Sequence, residues 1–311
     1  MKYKNIVFDG SNAIHRMSSA LPPLTNAKGE RVEVIFGMLK LLSSVCRLNS
    51  AERCFIAFDG KGSRRIRQAI DSVYKDRRGS TFTEEDKARI EGMHAQAEIL
   101  WEMFGQYLPI TWLTSTTYEA DDIMAMITAE GTTRGEASLI VSGDGDMLQL
   151  VSGTVAVYSA SRNAYCTPKV FSTYTKGYPD GQSFLYGKVL MGEPPTGDNI
   201  PGIRGCGEVW AKRILEQHNW DIGEVLNNMD AALAKSKLGK AILCPDGRDR
   251  ISKNYKLMSL RGHKKLKLDK IEVRKGVMNK RQLQINMAKM QFSSLLASFN
   301  QFINPFMSFG G

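Results

Sequence analysis

The stretch "ASLIVSGDGDM" at residues 137–147 places two carboxylates directly after an apolar run. The apolar residues predict a strand that is buried on both faces, and Asp144 and Asp146 follow its end. Gly and Asp are ordinary turn residues, so a plain turn is one interpretation of this pattern. The other is a divalent cation, which makes clustered carboxylates tolerable by lying between them.

Similar strand patterns recur along the first half of the chain, at residues 5–9, 54–59, 110–115 and 155–161. Helical patterns lie between them, at residues 31–48, 84–104 and 119–130. Thr83 and Asp86 form a variant of the capping box at the start of the second helix. Alternating strands and helices predict an α/β fold, with a mostly parallel central sheet and helices on both faces.

Other acids also follow predicted strands. Asp9 and Asp59 end the first two strands, and three acids open the helix after the third strand: Glu119, Asp121 and Asp122. A turn or a helix N-terminus explains any one of them. Because ligands of open α/β sheets bind at the carboxyl ends of the strands, their joint placement predicts a shared metal site. Oxygen ligands without His or Cys favour Mg²⁺ or Mn²⁺ over zinc.

The bulk properties narrow the function further. A length of 311 residues fits one large domain or two modest ones, and a net charge of +10 favours a polyanionic partner such as nucleic acid. Basic residues concentrate at 61–78 and 261–281. Five scattered cysteines without a CxxC motif indicate neither a zinc site nor a disulfide framework. Without a membrane-length apolar run or the features of a signal peptide, the chain is expected in the cytoplasm, that of the host cell if a phage encodes it.

After residue 165 the strand signal fades, and helices are predicted at 182–192, 207–218 and 221–236. Asp198 precedes a stretch with three glycines, Gly202, Gly205 and Gly207. Glycine lets the backbone approach a phosphate closely, and the N-terminus of the next helix offers N–H groups to it. With Lys212 and Arg213 nearby, this segment resembles a helix-hairpin-helix element, which grips duplex backbone without reading the base sequence.

The chain resembles the flap endonuclease, or 5′-nuclease, family over roughly residues 4–260. The motifs are VFDGSN, AFDGKG, YKDRR, YEADD, SGDGDM and GDNIPGIRGCG, in the family's order. The likeness is greatest to bacteriophage 5′–3′ exonucleases and to the 5′-nuclease domain of bacterial DNA polymerase I, and a separate nuclease is expected here. It implies a PIN-like nuclease core (1–168) with a helical arch (61–105), a helical DNA-binding subdomain (169–260) with a hairpin (198–218), and a C-terminal extension (261–311).

The resemblance implies two-metal hydrolysis of phosphodiester bonds near the 5′ end of branched or nicked DNA, leaving a 5′-phosphate and a 3′-hydroxyl. One ion would lie among Asp9, Asp59, Glu119, Asp121 and Asp144. The second would lie among Asp144, Asp146 and Asp198, with Asp122 nearby. The chain departs from the family at Glu193, where an aspartate is usual, and a longer loop follows it. Whether Glu193 still reaches the second ion stays open.

The resemblance also implies the DNA contacts. Arg67, Lys75 and Arg78 fall where the family has phosphate-contacting basic residues, and we expect Lys75 and Arg78 to act near the cleaved phosphate with Asp144. Tyr74 either stacks on a base near the cut or packs as an ordinary aromatic residue. The hairpin would also bind K⁺ around Gly202–Gly207.

The sequence leaves the substrate open among flaps, nicks, gaps, double-strand ends and RNA primers in RNA–DNA hybrids, in DNA replication or repair. We expect a monomer, with the C-terminal tail as a candidate contact for replication proteins. Two other functions compete. A haloacid-dehalogenase-like phosphatase requires a second aspartate where this chain has Ser11. A non-catalytic DNA-binding clamp on the same fold would gain nothing from a dense negative centre facing phosphates.

Overall fold

A computed structural model describes residues 2–49, 51–76, 79–80, 82–260 and 266–309. The strands are β1 (Asn5–Asp9), β2 (Arg53–Asp59), β3 (Thr111–Ser115), β4 (Ser138–Val141), β5 (Val155–Ser159), β6 (Ala164–Cys166), β7 (Gly192–Glu193), β8 (Ile200–Pro201) and β9 (Glu272–Lys275). The helices are α1 (Gly10–Ala20), α2 (Glu33–Asn49), α3 (Arg65–Ile70), α4 (Glu84–Met103), α5 (Ala120–Thr133), α6 (Phe171–Tyr174), α7 (Gly181–Met191), α8 (Glu208–Gln217), α9 (Ile222–Asn227), α10 (Ala231–Lys235), α11 (Lys237–Leu243), α12 (Pro245–Met258), α13 (Lys280–Lys289), α14 (Ser293–Ala297) and α15 (Phe299–Ile303).

The central sheet has the strand order β6-β5-β4-β1-β2-β3-β9. Its five inner strands run parallel, while β6 and β9 pair antiparallel at the two edges. This confirms the predicted α/β fold with a mostly parallel sheet. The strand β9 was missed because its sequence, EVRK, is polar and largely exposed, as an edge strand can be, and so carries no apolar pattern.

Helices cover both faces of the sheet, as predicted. In β1 the side chains of Ile6 and Phe8 enter one core and that of Val7 enters the other, because successive strand residues point to opposite faces. The first core includes buried residues of α1, α2, α4 and the C-terminal helices. The second core includes buried residues of α5, α7, α8 and α12.

The C-terminal segment, predicted as a basic then apolar extension over 261–311, contributes buried residues to the first core. The strand β9 pairs with β3, and the Phe292 ring lies 5.3 Å from the Phe36 ring, measured between centroids. The Ser43 hydroxyl donates to the Phe302 carbonyl at 2.9 Å. The aromatic rings of the tail therefore lie in the core, where their burial is favourable.

The predicted arch over residues 61–105 is only partly separate from the core. The helix α4 begins at the predicted capping box of Thr83 and Asp86. Its later turns bury Met93, Gln96 and Leu100 beside α1 and α2, and the Gln96 side chain accepts from the Val34 backbone N–H at 2.9 Å. The helical spacing of its apolar residues thus anchors the later turns of α4 to the first core.

Two of the three helices predicted after residue 165 are found close to their predicted bounds. The predictions at 182–192 and 207–218 correspond to α7 and α8, which are joined through the two-stranded hairpin of β7 and β8. The single helix predicted at 221–236 is instead two helices, α9 and α10. The break occurs because the Asp230 side chain caps a new helix, accepting from the backbone N–H groups of Ala232 and Leu233. Among the described helices, none is long and apolar enough to cross a membrane.

Candidate active site

Four aspartates gather where the inner strands end. Asp9 and Asp59 are the last residues of β1 and β2, Asp121 lies in the first turn of α5, and Asp144 follows β4. We call these four the unpaired carboxylates, because none of them forms an ion pair with a Lys or Arg side chain in the described residues.

Neighbouring backbone and hydroxyl groups fix two of these carboxylates. Asp9 caps α1, accepting from the Asn12 backbone N–H at 2.9 Å, and also accepts from the Ser142 hydroxyl at 2.7 Å. Asp59 accepts from the Ala120 backbone N–H at 2.8 Å. The carboxylate that ends β2 is thereby tied to the start of α5, which carries Asp121. The strand-end placement predicted from the sequence is what the structure shows.

The unpaired carboxylates raise one another's pKa. Burial is the main reason that the pKa of Asp9 rises to about 7, and the negative charges of Asp144 and Asp59 add to it against two hydrogen bonds that oppose it. Burial and the nearby charges of Asp9, Asp144 and Asp59 hold the pKa of Asp121 well above its ordinary value. Burial and the charge of Asp146 also raise the pKa of Asp144. The charges of Lys75 and Lys188 oppose the shifts of Asp121 and Asp144, yet both pKa values stay raised, so the described protein does not fully offset the repulsion among these acids.

Arg67 neutralises the other acids at the start of α5. Its guanidinium donates to both carboxylate oxygens of Asp122, at 2.7 and 2.8 Å, and to Glu119 at 2.6 Å. The Arg67 side chain is only 5% exposed. The structure thus corrects two expectations: Arg67 is a buried structural partner of acids rather than a phosphate contact, and Asp122 is held away from a metal by a bidentate ion pair.

Lys75 and Tyr74 bridge Glu119 and Asp198. The Lys75 ammonium lies 2.7 Å from Glu119 and 3.6 Å from Asp198. The Tyr74 hydroxyl lies 3.1 Å from each of the same two carboxylates. Tyr74 is 2% exposed, so the structure favours the packed interpretation of this residue over stacking on a base. Burial alone would raise the pKa of Glu119, but Lys75 and Arg67 bring it below its ordinary value.

The backbone of Lys75 is held in an unusual conformation. Its φ of +54° lies in the left-handed region, which is uncommon for residues other than glycine. The Lys75 backbone N–H donates to the Asp198 carbonyl at 2.9 Å, and the Asn199 side chain donates to the Val73 carbonyl at 3.1 Å. These contacts clamp the turn that carries Lys75 onto the loop after β7, which explains why the strained conformation persists.

Lys188 is a site residue that the sequence analysis missed. It lies in the last turn of α7, where its ammonium contacts Asp146 and lies 2.6 Å from Glu193. Burial lowers the pKa of Lys188, but the two acids more than offset this and hold it above its ordinary value. The signal was present, since Lys188 is the lone charged residue in the apolar helix sequence GQSFLYGKVLM. We call Glu119, Asp122, Asp146, Glu193 and Asp198 the paired carboxylates.

The unpaired carboxylates suit a divalent cation. As the side chains lie, no group of three or more described His, Cys, Asp or Glu residues is arranged to enclose a metal ion. The donors are nonetheless all carboxylate oxygens, the ligands that Mg²⁺ and Mn²⁺ prefer. Their mutual repulsion, seen in the raised pKa values of Asp9 and Asp121, is the kind of strain that a cation relieves.

A cleft of about 900 Å³ opens beside the unpaired carboxylates. Its wall includes the aromatic rings of Phe58, Trp101 and Trp112, and the first and last of these stack at 5.3 Å between centroids. Its lining also includes four Lys and Arg residues: Lys61, Arg64, Lys75 and Arg274. Arg274 comes from β9, so the C-terminal segment contributes directly to the cleft. The cleft thus joins an acidic end to aromatic and basic walls.

The three glycines of the hairpin predicted at 198–218 differ in how closely other atoms surround them. A side chain at Gly205 or Gly207 would meet no atom within 4 Å, and Gly205 has a φ of +85° that favours glycine. Gly202 differs, because a Cβ there would lie 1.9 Å from the Met191 carbonyl oxygen. Its small size serves packing against α7, and its expected role at a phosphate stays a prediction. Lys212 lies 2.7 Å from Glu208, whereas Arg213 stacks over the Trp210 ring at the surface. Arg78 lies outside the described residues.

Comparisons with known sequences find one family over most of this region. A family model described as "5'-3' exonuclease, N-terminal resolvase-like domain" matches residues 4–175. The chain is 29% identical to the 5′-3′ exonuclease of Aquifex aeolicus over 72% of either chain. It is 25% identical to DNA polymerase I of Caldicellulosiruptor bescii over 94% of this chain and 33% of that protein. The chain therefore spans about a third of the length of that polymerase.

Comparisons with solved structures find the same architecture. The D15 flap endonuclease of bacteriophage T5, solved with DNA and metal ions, aligns with a TM-score of 0.70 at 19% identity, over 97% of this chain and 98% of that one. Flap endonuclease-1 from Methanococcus jannaschii aligns with a TM-score of 0.58 at 14% identity, over 98% and 93%. At these identities the likeness shows the fold.

Proposed function

Because this chain belongs to the 5′–3′ exonuclease N-terminal resolvase-like family, as its motifs predict, we propose that it is a metal-dependent nuclease. It hydrolyses phosphodiester bonds near the 5′ end of branched or nicked duplex DNA, as a 5′–3′ exonuclease and flap endonuclease in replication or repair. One observation carries this proposal. Asp9, Asp59, Asp121 and Asp144 meet without a basic partner among the described residues, at the end of a cleft with basic and aromatic walls.

Two divalent ions, Mg²⁺ or Mn²⁺, fit the acids of this site. The unpaired carboxylates would hold the first ion, and Glu119 is nearby through its contact with Lys75. The second would lie between Asp144 and the acids at the hairpin, Asp146, Glu193 and Asp198. When bound, such a pair of ions stabilises the attacking and leaving oxygens of an in-line displacement. The K⁺ expected at the hairpin stays a prediction.

The basic residues Arg67 and Lys75 would orient the carboxylates of the site and stabilise the phosphate. Arg67 fixes the carboxylates of Glu119 and Asp122, and so fixes the start of α5 against the site. Lys75 lines the cleft, and its ammonium is held by Glu119 at 2.7 Å. We expect this charge to stabilise the phosphate whose bond is cleaved, because a preorganised cation in a partly dry site acts strongly on developing negative charge.

The cleft would bind a single strand of the DNA, and the hairpin would bind the duplex backbone. Lys61, Arg64 and Arg274 provide positive charge for the phosphates of a single strand, and Trp101 provides a ring for a base. The open backbone at Gly205 and Gly207 provides N–H groups at the start of α8 for the duplex backbone. The T5 relative was solved with DNA, which supports DNA as the substrate class here. RNA–DNA hybrids are a further candidate substrate.

The test uses the purified chain and a panel of 5′-end-labelled DNA: a flap duplex, a nicked duplex, a blunt duplex and a single strand. We expect release of the labelled 5′ strand from the flap and nicked duplexes with Mg²⁺ or Mn²⁺, and none with EDTA. Asp144→Asn serves as the inactive control. Binding of the flap duplex without cleavage under every metal condition would contradict the proposal and favour the DNA-binding clamp. Activity only on small phosphomonoesters would favour the phosphatase.

A further inference from the structure

Lys188 is the single charged residue of the apolar helix α7. It projects from an apolar helix whose neighbouring residues Val189 and Leu190 are fully buried, yet its ammonium reaches two acids from other segments. One is Asp146, which follows β4, and the other is Glu193 of β7, at 2.6 Å. The Lys188 side chain is 16% exposed, so the contact is largely shielded from solvent.

The inference rests on the proposed function, in which Asp146 and Glu193 belong to the second metal position. We propose that the Lys188 ammonium is the resident cation of that position, so that a second divalent ion binds there only by displacing it. An ammonium and a divalent ion on the same two carboxylates compete for their oxygens and repel each other, so each weakens the binding of the other. The first position differs, since the four unpaired carboxylates form no ion pair with a described basic residue and Lys75 pairs with Glu119 and Asp198 beside them.

The third acid of the second position is also engaged elsewhere. Asp198 is separated from Glu193 by a closed loop, in which the Gly197 and Asn199 backbone N–H groups donate to the Pro194 carbonyl at 2.9 and 3.1 Å. Its carboxylate contacts Tyr74 and Lys75 instead. The longer loop after Glu193 therefore leaves Asp198 facing Lys75 and leaves Glu193 facing Lys188. The two metal positions become unequal, with a tighter first ion and a weaker second ion.

The experiment counts Mn²⁺ ions on the full chain, without DNA, by electron paramagnetic resonance and isothermal titration calorimetry. We expect the wild-type protein to bind Mn²⁺ in two classes, the second at least tenfold weaker than the first. Lys188→Met removes the charge at nearly constant length and should tighten the weaker class at least tenfold, while the stronger class changes less than threefold. Lys188→Arg keeps the charge and should behave as the wild type.

Lys253→Met is the matched control. Lys253 also pairs with an acid, Asp71 at 2.5 Å, but outside the site, so its removal should leave both classes of Mn²⁺ unchanged. Where Lys188→Met does not fold, as judged by circular dichroism, Lys188→Gln supplies the same uncharged test with hydrogen-bonding groups retained. A weaker class that stays unchanged or loosens in the uncharged variant overturns the inference. If metal-dependent flap cleavage persists in the wild type at the same time, the proposed function survives and only the role of Lys188 fails.

Discussion

The unpaired and paired carboxylates differ in what neutralises them, although they lie side by side. Glu119 and Asp122 receive hydrogen bonds from Arg67 and Lys75, and Asp146 and Glu193 contact Lys188. Among the described residues, the four unpaired aspartates form no ion pair; backbone or hydroxyl groups donate to Asp9 and Asp59, and nearby acids raise the pKa of Asp121. The paired acids therefore hold loops and helices together, while the unpaired acids keep an excess of negative charge for a cation.

The comparison predicts different effects for a substitution of an unpaired carboxylate and for one of a basic partner of the paired carboxylates. Asp144→Asn removes a charge that forms no ion pair with a described basic residue. We expect cleavage of a 5′-flap duplex to fall by more than about 1000-fold, since a metal ligand matters more than the outer-shell partners whose loss costs about 10- to 100-fold. Flap-duplex affinity in EDTA should change less than about threefold. Cleavage at near wild-type rate in a quenched-flow assay would show that the unpaired carboxylate of Asp144 is not needed as a metal ligand.

Arg67→Met tests whether the ion pairs of the paired carboxylates stabilise the fold. It leaves Glu119 and Asp122 buried without their guanidinium, and breaking a buried ion pair in this way costs about 3–5 kcal/mol. We therefore expect the free energy of unfolding in urea to fall by about that amount. Asp59→Asn is the matched control on the other side and should change the unfolding free energy by less than about 1 kcal/mol. A stable Arg67→Met protein with weakened DNA binding would instead indicate that Arg67 contacts a phosphate of the DNA.

The strand-end acids were predictable because their positions follow from local pattern alone. An apolar run that ends in Asp, as at Asp9 and Asp59, needs only the parallel sheet to bring the acids together. The partners were less predictable. Whether a basic residue such as Arg67 points at DNA or at Glu119 depends on the tertiary fold, and a basic run looks the same in both cases. Likewise β9 carries no apolar alternation, so its place at the sheet edge appears only in three dimensions.

Because the pKa of Asp9 is raised, the free energy of unfolding should depend on pH. The folded protein keeps a proton on Asp9 up to about pH 7, whereas the ordinary value is 3.8, so between these values the folded state binds more protons than the unfolded chain. The unfolding free energy of the metal-free protein should therefore fall as pH rises from 4 to 7, by on the order of 2 kcal/mol. Thermal and urea unfolding in EDTA measure this fall.

Two controls accompany the pH measurement. Asp9→Asn cannot ionise, so its stability should depend less on pH over the same range. Saturating Mn²⁺ should reverse the trend in the wild type, because the metal binds the ionised carboxylates of the folded state. A metal-free protein that gains stability from pH 4 to 7, with no change in Asp9→Asn, would show that the carboxylates are not strained by one another.

The smallest expected effect concerns basic residues outside the acid groups. Arg213 stacks on the Trp210 ring at the surface of α8 and forms no ion pair among the described residues. Arg213→Ala should weaken flap-duplex binding by about 3- to 10-fold and reduce the slope of log affinity against log salt by about 1. Lys40→Ala on α2, where the side chain lies over Phe36, is the control and should leave both unchanged. Fluorescence anisotropy over a salt series makes the measurement.

The most direct measurement is a crystal structure of the protein soaked in Mn²⁺, with anomalous difference density recorded at the manganese edge. The unpaired carboxylates should hold a strong peak, with oxygens of Asp9, Asp59, Asp121 and Asp144 as its ligands or as acceptors from its bound waters. A weaker peak beside Asp146 and Glu193 should appear only where the Lys188 ammonium has moved away. A fully soaked crystal with no manganese among the four unpaired aspartates would contradict the account.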